Sequence, residues 1–435
     1  IISKEEIGDK LMNKKNQKGI TLIALVITIV IILILSTVSI NAVLSNQGIL
    51  KSSQEIERMQ NEAVESEKQS TNKTLGEHTN VIDNPPIDPT ANWDTRKVDK
   101  VLSEDNIFVP VPKGYTASTI DGEKKVSTGF VIKEGTNGNA RSGINEFVWV
   151  PVSNINDIYD KENNAGQLWN FSGTTSTKVT YPNQKNSSYR EPDVITGANE
   201  GEESTSGSKY DAVTDNLKQA GMPDTTTAQN FKEQLQKEFE NMIESVKIYG
   251  GFYIGRYETG NLSQTKAVVQ KYNTDIGNQT WYTQYKLSKT IGANNNVTTS
   301  MIWGCQWDAT LRWMQTSSDE KVKNFPTNSA SYGNYNDNTL EYKESENGET
   351  KTQVTSSSVI PTGGSEATRI NNIYDMAGNI YDWSIATYNV RYRVISGGAY
   401  NVTGIASPSY HNKDFGTPTT SSYVIGSRST LYIAL

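Results

Sequence analysis

One cysteine, Cys305, and two histidines, His78 and His411, are all that the 435 residues offer in soft or imidazole ligands. Those counts bound the chemistry. A single thiol makes neither an internal disulfide nor a redox pair. Two imidazoles cannot supply a three-histidine iron site. His411 could act in a Ser-His-Asp hydrolase only beside a nucleophile motif, and none accompanies it. Cys305 therefore reads as a small buried apolar residue and His411 as an ordinary surface residue. Binding is the chemistry left. The segment 399–423 gathers Tyr400, Asn401, Ser409, Tyr410, His411, Asn412, Asp414 and Phe415. Tyrosine supplies rigid contact area there, and Asn and Ser supply adaptable hydrogen bonds. The same composition would also make a plain polar loop.

These residues need a scaffold, and the apolar periodicity predicts one. Residues 228–246 place Phe231, Leu235, Phe239, Met242, Ile243 and Val246 on one helical face, with charges elsewhere. That stripe predicts core packing, and Gly250 and Gly251 predict its stop. A shorter helix is expected from Trp307 to Met314, turning Ala309, Thr310 and Trp313 inward. Strands are expected at 107–111, 129–132, 146–152, 252–258 and 391–395, with a last segment at 425–435. Residues 153–225 read as a polar insertion, and 316–365 as turn-rich.

The amino-terminal part differs in kind. Residues 20–50 contain no charged side chain, and from Ile20 to Leu35 only Thr21 and Thr28 interrupt the apolar run. A helix rising about 1.5 Å per residue needs ~20 such residues to cross a hydrocarbon core. The run is apolar on every face, so it predicts a membrane helix and not a packed amphipathic one. No A-x-A site follows it, as a signal peptide would require.

The stretch Lys18-Gly19-Ile20-Thr21-Leu22-Ile23-Ala24-Leu25-Val26 resembles the start of a type IV prepilin. The resemblance implies cleavage by a prepilin peptidase after Gly19 and N-methylation of Ile20. Family members usually carry Glu at the fifth mature position, where Ala24 stands here. That carboxylate offsets a neighbour's terminal amine during assembly, so its absence points to a minor, tip-like pilin or a pseudopilin. Met12 followed by NKKNQKG makes a normal short leader, so Met12 is a possible true start.

Six later blocks occur in order: EFVWVPV, GGFYIGRYETG, WGCQWDATLRWM, NNIYDMAGNIYDW, RVISGGAY and IGSRSTLYI. Together they resemble the formylglycine-generating enzyme family, whose domain is a variant of the C-type lectin fold. The family's cysteine pair is missing, because 399–424 holds no Cys, and so the resemblance implies a fold kept without its chemistry. It also implies a Ca²⁺ site on the side chains of Asp375 and Asp382 and the carbonyls of Gly378 and Ile380. Oxygen-only ligation suits that hard cation. A plain turn capped by its own Asp side chains is the alternative. In lectin-like folds the loops that include 399–423 form the binding face. Some members of the fold are varied by retroelements in this segment, and 399–412 lacks Lys, Glu, Gln, Met and Trp, as that process would leave it.

The expected fold class is α+β: a long transmembrane pilin-type helix followed by a C-type-lectin-like, formylglycine-generating-enzyme-type domain. The expected organisation is a leader at 1–19, the pilin helix at 20–75, a linker at 76–105 and the lectin-type domain at 106–435. The formal charge of -7 and pI near 5.2, with no basic cluster beyond the leader, argue against nucleic acid. Expected partners are the cytoplasmic membrane, a prepilin peptidase, other pilin subunits and a surface carbohydrate or protein. The expected protein is exported, membrane-anchored before assembly and non-catalytic. The alternatives are a structural pseudopilin of a secretion or DNA-uptake system, and a retroelement-diversified binding protein.

Overall fold

Alternation of apolar side chains along the central strands decides the architecture, because it places a core on each face of one sheet. The computed structural model describes residues 90–179, 208–292, 294–353, 358–387, 393–409 and 416–435. All lie in the second of two units, Ile87–Leu435, the first being Ile1–Pro86. In chain order the strands are β1 (Val98–Leu102), β2 (Phe108–Pro112), β3 (Tyr115–Ala117), β4 (Val131–Glu134), β5 (Glu146–Pro151), β6 (Tyr159–Asp160), β7 (Ala165–Gly166), β8 (Trp169–Ser172) and β9 (Thr175–Lys178). After them come β10 (Gly251–Gly255), β11 (Val297–Met301), β12 (Leu340–Tyr342), β13 (Lys351–Gln353), β14 (Tyr381–Thr387), β15 (Arg393–Ser396), β16 (Ile425–Ser427) and β17 (Ser429–Ile433). The helices are α1 (Ser208–Gln219), α2 (Ala228–Tyr249), α3 (Trp281–Ser288), α4 (Gly304–Gln315) and α5 (Glu320–Asn324).

Six strands form an antiparallel sheet in the order β11-β17-β10-β5-β4-β3. Successive residues point to opposite faces of a strand. Val148, Val150, Phe252 and Ile254 accordingly join the core that includes α2, while Phe147, Trp149 and Tyr253 join a second core on the other face. Cross-strand register keeps like with like: Phe252 faces Val150, Tyr253 faces Trp149 and Ile254 faces Val148. A smaller sheet, β15-β14-β16, has its first pair antiparallel and its second parallel. The remaining strands are the hairpins β1-β2, β6-β7, β8-β9 and β12-β13.

The helix over 228–246 forms as α2, and all six of its predicted core residues are buried. Thr227 caps it in a reciprocal box with Asn230, satisfying free N–H groups of the first turn. Gly250 ends it with φ 79°, a conformation that suits a residue without Cβ. Gly251 then starts β10 so close to β5 that a Cβ would lie 2.3 Å from the Val150 carbonyl oxygen. The second predicted helix is α4, begun earlier at Gly304, with Ala309, Thr310 and Trp313 buried and Cys305 fully buried beside them.

The expected fold class is corrected. Among the described residues no helix is long and apolar enough to cross a membrane. Only five α-helices occur among them, against seventeen strands, so strands and curled sheets dominate. The pilin-type helix expected at 20–75 lies outside the described residues. The linker expected at 76–105 contains β1, which pairs with β2 along its whole length and buries Val98. The polar insertion expected at 153–225 contains two hairpins and α1, because Ile158, Leu168 and Leu217 supply enough buried apolar surface to hold them. These anchors are spaced too widely to show a period in the sequence.

Candidate functional site

A cleft of about 530 Å³ opens beside β4, and Ile120 is the only aliphatic side chain in its lining. Its floor is an ion network. Arg256, one residue past β10, reaches Glu146 at the start of β5 (Nη1 to Oε2, 2.7 Å) and Glu123 in the loop before β4 (Nη2 to Oε1, 2.7 Å). Lys133 of β4, fully buried, lies 3.3 Å from the other oxygen of Glu123 and donates to the Ala140 carbonyl at 2.5 Å. Two cations thus face two carboxylates out of water, the condition under which buried charge is tolerated. Burial is the largest influence on Glu146 and pushes its carboxyl up, with Arg256 offsetting part of that. Burial also pushes Glu123 up, but Arg256, the Ser118 hydroxyl and Lys133 outweigh it, leaving that carboxyl below its ordinary value. The cause of the difference is depth, since Glu146 is the more deeply buried of the two.

Aromatic rings clamp the guanidinium. Tyr257 and Tyr374 have ring centroids 5.2 Å apart, and the Arg256 guanidinium lies 5.7 and 5.5 Å from them. Beyond Tyr374 the wall is charged again. Glu366 accepts from the Tyr374 hydroxyl at 2.8 Å and pairs with Lys271 at 3.2 Å and Arg369 at 3.0 Å. Asn372 ties this wall to the floor, its amide donating to the carbonyls of Gly122, Thr128 and Gly129.

The loop carrying Tyr374 holds unusual backbone. Asn371, Asn372, Asp375 and Asn379 all have positive φ, which Asn and Asp tolerate better than other side-chain-bearing residues. Asp375 is fixed by three donors: the Thr362 hydroxyl and Gly363 N–H on one oxygen, the Thr368 hydroxyl on the other. Asp382 accepts from Arg428 Nε at 3.1 Å. Arg428 also donates to the carbonyls of Gly255 and Tyr374, joining β10 to the loop. Glu258 lies in the same buried network, accepting from the Asn379 amide at 2.7 Å.

Asp375 and Asp382 are both buried; Asp375 accepts from protein donors on both oxygens, whereas Asp382 takes Arg428 on Oδ2 and leaves Oδ1 without a hydrogen-bond partner among the described residues. Of the expected Ca²⁺ set, the Asp375 carboxylate is filled by protein donors and Asp382 offers one open oxygen beside the Arg428 guanidinium. Among the described residues no group of three His, Cys, Asp or Glu is arranged to hold a metal ion. Of the predicted ligand-binding residues, Tyr410, His411, Asn412, Asp414 and Phe415 lie outside the described residues. Tyr400 donates its backbone N–H to Asn379, Asn401 is exposed, and Ser409 donates its N–H to Pro326. None of those three lines the cleft. Sequence reasoning missed Glu123, Lys133, Glu146, Arg256, Lys271, Glu366 and Arg369. A signal was present for three of them: Lys133, Glu146 and Arg256 interrupt or flank otherwise apolar strands.

Comparisons with known proteins bear on the other end of the chain. Residues 14–40 match the family model described as the prokaryotic N-terminal methylation motif. The chain thus begins its apolar run with a type IV prepilin-like processing motif. That motif implies cleavage by a prepilin peptidase, assembly with other pilins, and an exported, membrane-anchored or surface protein. The formylglycine-generating resemblance receives no support from these comparisons. No curated protein matches the chain. Among solved structures, one titled Crystal Structure of CarF is similar at 13% identity and TM-score 0.26, covering 42% of this chain and 87% of that one. Treponema denticola variable protein 1 is similar at 13% identity and TM-score 0.25, covering 67% and 98%. Scores this low carry no argument about fold or function.

Proposed function

We propose that this chain is a minor, tip-like subunit of a type IV pilin-like assembly whose 87–435 unit binds a ligand at the cell surface without catalysing a reaction. The methylation motif at 14–40 carries the reading, because it places a processing and assembly signal ahead of a large separate unit. Ala24 in place of the usual carboxylate supports a minor position over a bulk one. The charged cleft supports recognition of a polar partner, because an apolar ligand would have to strip water from its ions without replacing their hydrogen bonds. The full burial of Cys305 supports the absence of thiol chemistry.

A Gly19→Val variant tests the reading. The expected outcome is that the natural chain is recovered from sheared surface fibres beginning at methylated Ile20, while the variant stays unprocessed in the membrane. A mature terminus elsewhere, or a natural chain missing from the surface, overturns it. Ala24 favours one other reading equally, a structural pseudopilin. That reading expects a secretion or DNA-uptake defect on deletion, with attachment unchanged.

A further inference from the structure

Five cationic and four acidic side chains line the cleft, and most of them cancel. On the floor, Arg256 and Lys133 answer Glu123 and the underlying Glu146. At the rim, Asp121 shares Lys124 with Glu104, each at 2.9 Å. Two positions are left positive. Lys271 and Arg369 share the single carboxylate of Glu366, which leaves that wall one positive charge in excess. Arg141, exposed on the same cleft, forms no ion pair among the described residues. Against these two charges stands Glu346, which accepts a hydrogen bond from the Tyr272 hydroxyl at 3.4 Å.

A ligand for this arrangement must offer an anion to the guanidinium and ammonium groups and hydrogen-bond donors to Glu346. A bare dicarboxylate would meet repulsion at Glu346. A lipid chain finds one aliphatic side chain, Ile120. A nucleobase finds no open ring, because Tyr257 and Tyr374 pack against each other with planes tilted by 31° and are 1% and 2% exposed. The volume falls within the roughly 300–1,000 Å³ of small-ligand sites. Resting on the surface-binding reading above, we propose that this cleft binds a carboxylated saccharide. The sugar carboxylate pairs with Arg141 and the Lys271–Arg369 wall, and its hydroxyls donate to Glu346.

The test uses the full processed chain in detergent micelles, titrated calorimetrically with trigalacturonate and 3′-sialyllactose. The methyl esters of both, maltotriose and an acidic tripeptide serve as comparisons. Binding of either acidic sugar is expected, about tenfold weaker for its ester, since loss of one charge-assisted contact corresponds to about that factor. Arg141→Gln and Arg369→Gln are each expected to weaken it by about the same factor at unchanged melting temperature. Equal binding of ester and acid, stronger binding of the peptide, or unchanged affinity in both variants overturns the proposal. Cell attachment separates this failure from failure of the surface reading. Attachment that needs the chain but ignores both variants and both sugars rejects the saccharide alone. A chain that never reaches the surface rejects the broader reading whatever the titration shows.

Discussion

Around Arg428 lie three fully buried carboxyl groups, from Glu258, Asp375 and Asp382, and Asp382 pairs with its guanidinium. Burial is the largest influence on each and raises each above its ordinary value. For Glu258 the neighbouring Asp375 and Asp382 add to the rise. Asp382 is raised to about 6 even though Arg428 pulls it down. A carboxyl raised in the folded state binds more protons there than in the unfolded chain. Its contribution to stability is complete below the unfolded value near ~4 and is lost as pH climbs through the folded value. For Asp382 that window is between about 4 and 6. The protein is therefore expected to lose stability as pH rises through this range. Glu258→Gln removes one raised acid, so the slope of urea midpoint against pH between 5 and 8 should become shallower, at a cost of about 1 kcal/mol near pH 5. An unaltered slope would show that Glu258 is not protonated in the fold. Because Asp375 already has three protein donors and Asp382 has Arg428, a chelator should leave the melting temperature unchanged. A fall of several degrees on chelation would restore the calcium site.

At the scale of elements, α2 contributes most visibly to the main core. Phe239 meets Trp303 edge-on at 5.3 Å and Tyr159 at 6.2 Å, and is itself fully buried. Phe239→Ala opens a cavity among rings that cannot collapse into it, and should cost about 3–5 kcal/mol in chemical denaturation. A cost under ~1 kcal/mol would mean that the helix does not pack as described. This helix was legible because one face stays apolar through six turns while Thr227 and Gly250 mark its ends. The strands were legible as apolar runs but not as neighbours. β5 and β10 are apolar on both faces, so alternation could not show which residues face α2 and which face the second core.

For the whole molecule, chain order and spatial order diverge. The last strand, β17, lies between β10 and β11 inside the six-stranded sheet, with Leu431 fully buried. Removing residues 428–435 takes out an interior strand together with Arg428. The truncated chain should fail to give a protease-resistant 87–435 unit. A resistant fragment of the remaining length would show that the sheet closes without β17. By itself the sequence determined the processing motif at 14–40, the amphipathic face of α2 and the supply of one thiol and two imidazoles, because each depends on residue counts or local spacing. Only the tertiary structure decided the cleft. Glu123, Lys133, Glu146 and Arg256 are separated by up to 133 residues and meet because β4, β5 and β10 are neighbours in one sheet, and Glu366 joins them through Tyr374 and Lys271. It also decided that Asp382 meets Arg428 and that Asp375 pins its own loop through Thr362, Gly363 and Thr368, because those contacts depend on where the folded backbone brings each donor and not on residue spacing.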